Sequence, residues 1–367
     1  ARYPVGRPAP NRCHHAEIAI IHSTMNPLLR PFGRIYGAIM ALRNQAFDIA
    51  LLKAHRPSQW VVSLGNLSTG GTGKTPHAMM IAGLLQKQGP TAVLSRGYGR
   101  TTKGYRELKQ TDKPELVGDE PLLIKHRMPE LKVVVCEDRS EGARRIGQEH
   151  PDVQSIVLDD AFQHRYIHRD LNILLTRFDR PFYKDQLLPE GQLRESRKGA
   201  GRADLLIVTH CPADLDLQSA EKIQHRVKRY SSLPVFFTTM AVTGLFNESG
   251  VPVDSVDRAL AVAGIAQPKS FFDSLKKRLN GDQLATMAFP DHHRFSQADI
   301  ARIRQKCRQN GHCIITTEKD RMRWPQELLQ ESNITLLTLR IEVEFLFGKR
   351  VEFEALLFRK FALGSHS

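Results

Sequence analysis

The sequence predicts an α/β fold: a mostly parallel sheet flanked by helices, with a smaller second α/β unit. Three observations lead there. Short apolar runs such as Trp60-Val61-Val62-Ser63-Leu64 and Ser155-Ile156-Val157-Leu158 recur without polar alternation, as strands covered on both faces do. Helical patterns separate them, which implies a layered sheet. The chain has 367 residues, more than one typical core holds, so two units are expected.

Taken in order, residues 1–24 are rich in Pro, Arg and His with little periodicity and read as a loose extension, with Met25 a candidate natural start. From Leu28 the apolar residues fall at Leu28, Phe32, Ile35, Ile39, Leu42, Ala46 and Ile49, a 4-3-4-3 spacing that marks one helical face. Arg30, Arg34 and Arg43 lie off that face. This amphipathic helix, within a 25–55 segment, fits either a membrane interface or docking on its own domain. Strands follow at 60–64, 91–94, 132–136, 155–158, 171–175 and 204–208. A helix over 75–88 is stopped by Gly89-Pro90, and a polar helix covers 218–228. A first domain spans 56–234. The second, 235–367, opens with an extended crossing strand at 235–240. It continues with strands at 259–265, 313–316 and 334–339 and helices at 268–277 and 297–308.

Composition narrows the classes. Apolar residues make up 41% and charged residues 25%, ordinary for a soluble globular chain. No run of 18 apolar residues occurs, so no spanning helix is expected, and Ile18–Ile21 is too short for a secretory signal. The net charge of +14 favours an anionic partner. With aromatics at 7% and none clustered among the basic residues, nucleic acid is not the expected one. The cysteines number five, with no C-x-x-C pair, so a disulfide framework is not expected and a reducing compartment fits. Cys307, His312 and Cys313 read as a helix end followed by a buried strand, since a second pair of metal ligands is lacking.

The stretch Ser63-Leu-Gly-Asn-Leu-Ser-Thr-Gly-Gly-Thr-Gly-Lys-Thr-Pro76 carries the chemistry. Its end matches a phosphate-binding loop, although Ser68 stands where that pattern has its first glycine. A strand precedes it and a helix follows. Gly70, Gly71 and Gly73 free backbone N–H groups to turn toward an anion, and the helix N-terminus aims its positive end there. Residues Ser68, Thr69, Gly70, Gly71, Thr72, Gly73, Lys74 and Thr75 form the candidate ATP loop. Lys74 reaches the β- and γ-phosphates, and Thr75 holds Mg²⁺ through its hydroxyl.

Such a loop needs an acid at a strand end, and Asp159-Asp160 follows Ser155–Leu158. The pair offers one residue to ligate metal or a metal-bound water and the other to cap or orient the turn. Asp119-Glu120 lies at a loop-to-helix junction, either as a cap with a first-turn Glu or as a general base. Asp291-His292-His293 is a second-domain loop in which Asp can orient an imidazole. Thr316-Thr317-Glu318-Lys319-Asp320 closes a second-domain strand, as a polar turn or facing a cleft. The charged loop 190–198 is either solvated or receives phosphate groups.

Read together, these pieces resemble the tetraacyldisaccharide 4′-kinase family of the lipid A pathway in Gram-negative bacteria. The resemblance is carried by Gly65-Asn66-Leu67 with Gly70–Pro76, Ser95-Arg96-Gly97-Tyr98-Gly99-Arg100, Gly118–Pro121 and Leu158–His164. It continues through Leu193-Arg194-Glu195, Ala263-Gly264-Ile265 with Ser270-Phe271-Phe272, Asp291–His293 and Thr316–Asp320. The order is collinear over roughly residues 28–340. Ala161 departs from the Gly common there.

The resemblance implies transfer of the γ-phosphate of ATP to the 4′-hydroxyl of a tetraacyldisaccharide 1-phosphate. It implies Asp119 as base, helped by His292, with Lys74 also catalytic. It implies Asp159, Asp160 and Glu195, with Thr75, as the Mg²⁺ shell, and Glu120 and Gln163 as supporting residues. It turns the 28–49 helix toward the anionic cytoplasmic face of the inner membrane, bound peripherally. It also suggests that the two domains close around ATP and acceptor. A small-metabolite kinase and a nucleic-acid-linked ATPase are the competing classes. Phosphate transfer to the lipid disaccharide separates them.

Overall fold

A computed structural model describes residues 27–279, 283–324 and 334–364. The reading of residues 1–24 and of Met25 lies outside the described residues. Among the described residues one sheet of 13 strands runs through the whole molecule. Its first half is built from β1 (Trp60–Asn66), β2 (Thr91–Ser95), β3 (Arg106–Glu107), β4 (Lys132–Val135), β5 (Ser155–Leu158), β6 (Leu171–Arg177) and β7 (Leu205–Thr209). Their order is β7-β6-β1-β5-β2-β4-β3, parallel except for the short edge strand β3. Every residue of β1 is buried, as the unbroken apolar run predicts for a strand covered on both faces.

The helices of this half are α1 (Arg30–Asp48), α2 (Lys74–Gln86), α3 (Pro114–Val117), α4 (Asp119–Arg127), α5 (Arg139–Glu149) and α6 (Leu217–Val227). The helix α2 buries Ala78, Ile81, Ala82 and Leu85 against β1 and its neighbours. Asp138 caps α5 by accepting from Ser140 N, which satisfies a first-turn donor.

The second half holds β8 (Val235–Phe246), β9 (Pro252–Val253), β10 (Ala259–Ala263), α7 (Pro268–Arg278), β11 (Leu284–Ala288), α8 (Gln297–Arg308), β12 (Cys313–Thr317), α9 (Glu318–Arg321), β13 (Thr335–Phe345) and α10 (Arg350–Gly364). Strands β11, β10, β12 and β13 are parallel, with α7 packed on one face and α8 on the other. Ser296 and Asp299 form a reciprocal cap at the start of α8. Cys307 is buried between α8 and the sheet, and Cys313 on the opposite face beneath α7.

The two halves share β8. Its start pairs parallel with β7 (Leu206↔Val235), and from Thr238 to Phe246 it pairs antiparallel with β13. The expected strand ended at Met240; it runs on through Gly244, which sits at φ 159° beside a register shift at Arg340/Ile341. The expected strand at 334–339 likewise extends to Phe345. Its continuation Ile341-Glu342-Val343-Glu344-Phe345 alternates as a half-buried strand does. After it, α10 returns to the first half and buries Phe353 and Leu357 beside Trp60, Phe236 and Phe345.

Candidate active site

The loop between β1 and α2 sits at the carboxyl end of the central strand, where β5 and β6 flank it, the place where open α/β sheets bind ligands. Gly73 is the cap of α2 with φ 75°, a left-handed conformation that disfavours a side chain, and a Cβ there would displace the tip of Met240. Gly70 also has positive φ. Ser68 bridges to Leu193, and Thr69 N donates to Gln192 O at 2.8 Å. Gly71 O accepts from Arg177 Nη1 at 3.0 Å. Thr72 and Thr75 are buried, and the Thr72 hydroxyl has no hydrogen-bond partner. His77, fully buried, sits one turn into α2 with Nδ1 2.7 Å from Gly73 O and Nε2 3.1 Å from Thr238 Oγ1. Burial pushes its imidazole down to about 4. A neutral ring that donates from Nδ1 and accepts at Nε2 satisfies both contacts.

Lys74 lies 3.6 Å from Asp160 Oδ1 and donates to Asn66 Oδ1 at 3.5 Å. Asp160 adopts φ 51°, a left-handed turn that swings its carboxylate to Lys74 and to Arg194 Nη1 at 3.2 Å. Burial would raise the Asp160 carboxyl, but Lys74 and Arg194 hold it below the ordinary range. Asp159 has the opposite fate. It is buried, its Oδ1 has no partner, and burial together with the charges of Glu120 and Asp160 raises its carboxyl. A crowded carboxylate cluster with an orphaned oxygen is the donor set a hard dication neutralises, so these residues fit Mg²⁺.

Gln163 Nε2 donates to Asn66 O at 2.7 Å and to Glu195 Oε1 at 3.1 Å. Glu195 is also engaged by Asn44 Nδ2 at 2.9 Å and Arg202 Nη2 at 2.8 Å. Its carboxylate thus joins α1 to the floor of the site.

A second cluster brings together residues far apart in the chain. Gly118 is the cap of α4 and Asp119 its first helical residue, so Asp119 is not the capping residue; its Oδ1 accepts from Glu120 N at 2.9 Å. Asp119 Oδ2 faces His292 Nδ1 at 3.0 Å, and the Arg323 guanidinium lies 3.4 Å from the same oxygen. Burial would raise Asp119, but the hydrogen bond to His292 and the charges of Lys319, His292 and Arg323 outweigh it and hold the carboxyl low. His292 is raised by the same hydrogen bond, against its partial burial and Lys319. Lys319 Nζ donates to Glu120 Oε1 at 2.8 Å. Because Glu120 raises Asp159, this cluster lies within electrostatic reach of the carboxylates beside the phosphate loop.

Of the residues expected from sequence, Lys74, Asp160 and Gln163 join one network, and Asp119, Glu120 and His292 join another. Sequence reasoning missed Arg323, Arg177, Asn44 and His77. Nothing in spacing separates Arg323 from the rest of the 53 lysines and arginines.

A loop of phosphate-binding pattern on the central strand, an acid pair beside its lysine and a carboxylate–imidazole pair alongside are the parts of a phosphotransferase. A family model described as tetraacyldisaccharide-1-P 4′-kinase (LpxK) matches residues 25–362, and the chain belongs to that family. It is an enzyme, a kinase. It is 39% identical over 303 residues to the tetraacyldisaccharide 4′-kinase of Flavobacterium johnsoniae, covering 82% of this chain and 87% of that one. It is 40% identical over 314 residues to that of Cytophaga hutchinsonii, covering 84% and 88%. The crystal structure of Aquifex aeolicus LpxK in complex with ATP superposes with a TM-score of 0.72 at 30% identity, covering 91% of this chain and 98% of that one.

Proposed function

We propose that the chain transfers the γ-phosphate of ATP to the 4′-hydroxyl of a tetraacyldisaccharide 1-phosphate, at a membrane surface. The observation that carries the site assignment is the Asp119–His292 contact at 3.0 Å, within electrostatic reach of the loop that would hold ATP. In this reading the N–H groups of residues 70–75 and the α2 N-terminus receive the phosphates. Lys74 leaves Asp160 for the β- and γ-phosphates. Thr75, Asp159 and Asp160 would hold Mg²⁺, which when bound neutralises charge on the phosphates. Glu195 supports Gln163 and Asn44 beneath them.

Asp119 accepts the proton of the 4′-hydroxyl as its oxygen bonds to the γ-phosphorus and the bond to the departing ADP breaks. The low pKa of Asp119 suits this step. In a loose phosphoryl-transfer transition state the nucleophile's proton leaves late, so an ionised, oriented acceptor matters more than a strong base. His292 fixes the carboxylate, and Lys319 fixes Glu120 beside it.

The helix α1 supports the membrane surface as the second partner. Leu28, Phe32, Ile35, Ile39, Leu42 and Ile49 are each 59–81% exposed. The helix docks through Phe47, buried against Tyr166, and through polar groups: Tyr36 to Arg194 O at 2.7 Å, Arg43 to Gln163 O at 3.2 Å, and Asn44 to Glu195. A helix packed on its own domain would turn its apolar face inward. No described helix is long and apolar enough to cross a bilayer, so an in-plane arrangement at the anionic cytoplasmic face is the one proposed.

The test is incubation of the full chain with ATP, Mg²⁺ and tetraacyldisaccharide 1-phosphate, with mass detection of the added phosphate. Asp119→Asn should lower kcat by ~10²–10⁴-fold with ATP affinity retained. Absence of transfer by a folded, ATP-binding sample would overturn the acceptor assignment.

A further inference from the structure

We infer that Arg323 is a positioning residue for phosphoryl transfer, a buried guanidinium that sets the geometry of Asp119 and His292 together. The inference rests on the proposed roles of those two residues.

Arg323 lies just beyond α9, with its N–H bonded to Asp320 O at 2.8 Å and its side chain buried. Its donors are distributed over three separate parts of the chain. Nη1 donates to His293 O at 3.2 Å, and Nη2 to Gly264 O at 3.0 Å and to Asp320 Oδ1. Gly264 O also accepts from His292 N at 3.2 Å. The guanidinium therefore holds the His292 loop at two carbonyls, one directly after His292 and one bonded to its own N–H. His292 needs that hold, because its backbone has φ 56°, an uncommon conformation for a side-chain-bearing residue that persists only where surroundings enforce it.

The same guanidinium faces the other half. Its Nε is 3.4 Å from Asp119 Oδ2, the oxygen that His292 Nδ1 also contacts. That Nε–H is buried without a hydrogen-bond partner of good geometry, and a buried donor left unpaired is costly. A small rotation of the carboxylate completes the bond, so Arg323 draws Asp119 toward one orientation. Asp320 steadies the guanidinium, accepting at Oδ2 from Gly264 N at 3.0 Å and from Thr317 Oγ1 at 2.8 Å. The polar turn after β12 is thus a platform for Arg323. The charged groups around Asp119 are His292, Lys319 and Arg323, with Glu120, Asp291 and Asp320 beyond them.

The planar fork matters as well as the charge. A lysine can supply the positive charge to Asp119 or Asp320 but cannot hold His293 O, Gly264 O and Asp320 in one plane.

The experiment is steady-state kinetics of the full chain and its R323K and R323Q variants over a range of pH, with ATP and tetraacyldisaccharide 1-phosphate. R323Q should lose about 10- to 100-fold in kcat, since a misplacement of ~1 Å costs up to ~10²-fold, with the KM for ATP within about twofold. The acidic limb of its kcat profile should move to higher pH, because Asp119 loses a neighbouring cation. R323K should recover part of kcat and of the limb position. In a D119N background R323Q should cost little more, as expected for residues acting through one another.

A folded R323Q with kcat within twofold of wild type, or a loss that only tracks the folded fraction with an unmoved pH profile, overturns the inference. Full additivity with D119N overturns it too. If R323Q fails to fold, R323K decides: wild-type kcat and profile overturn it, and an intermediate kcat with a moved limb supports it. Wild-type transfer by D119N overturns the proposed base itself. Inactive D119N beside unaffected Arg323 variants overturns only this inference.

Discussion

His77 shows how a single side chain near the phosphate loop sets the response to acid. Its ring, like those of His164 and His210, is held down to about 4 by burial. The unfolded chain binds these protons near the ordinary histidine value of about 6.5, whereas the folded chain refuses them until about pH 4. Between those values the unfolded state carries more protons, so stability falls as pH falls. Each neutral imidazole contributes about 1.4 kcal/mol per pH unit to that slope. Denaturant titrations of wild type and His77→Gln from pH 7 to 4 should give a shallower slope for the variant by about this amount. Equal slopes would mean that His77 is protonated in the folded protein. The candidate site was legible in the sequence where residue type and spacing suggest chemistry: Lys74 and Thr75 after three glycines, Asp159-Asp160 at a strand end, Asp119 before Glu120. Arg323, Asn44 and His77 were not legible, because their importance comes from contacts to residues 151 to 204 positions away, and no local pattern encodes such contacts.

At the scale of elements, α1 illustrates a limit of periodicity. The 4-3-4-3 spacing predicts an amphipathic helix but not which way it faces, since docking and interfacial helices share that spacing. Its contacts with Arg194, Gln163 and Glu195 show the polar side inward. Ile35→Asp with Ile39→Asp should therefore leave folding nearly unchanged, since both side chains are exposed. Flotation with anionic vesicles should show partition reduced by at least ~10-fold, because burial of each large apolar side chain stabilises binding by roughly 1.5–3 kcal/mol. Undiminished flotation of the double variant would rule out this face as the lipid contact. The far halves of β8 and β13 escaped a reading tuned to continuous apolar runs, because they are half-buried strands with polar residues interleaved. Helix α10 escaped for a related reason. It lies beyond the span of the resembling motifs, and its apolar residues are spread around its circumference, so they mark no face.

At the scale of the molecule, α10 crosses back from the second half to the first. Phe353 and Leu357 enter the same core as α2 and β1, and Gly364 comes so close to Trp60 that a Cβ would sit 2.5 Å from its Cδ1. Phe353→Ala should cost ~3–5 kcal/mol. With the two halves joined through β8 and fastened by α10, that loss should lower the midpoint of one shared calorimetric transition. Two separated transitions, only one of them moved, would contradict this coupling. Ion pairs link the halves at both ends of α4 as well, Glu120 to Lys319 and Arg127 to Glu318. A closing of the two halves around ATP would have to flex one continuous sheet against these clasps.

The shared strand β8 bears on how the chain can be divided. In the intact sheet the terminal strands are β3, two residues long, and β11, five residues long. A cut through the middle would expose either the N–H and C=O groups of β13 from Thr338 to Phe345 or those of β7 and β8. Long bare edges recruit other chains. Each half made alone should accumulate as insoluble aggregate, and limited proteolysis of the whole should release no stable half. A sheet whose bare edges, among the described residues, are short is thereby also defended against misassembly.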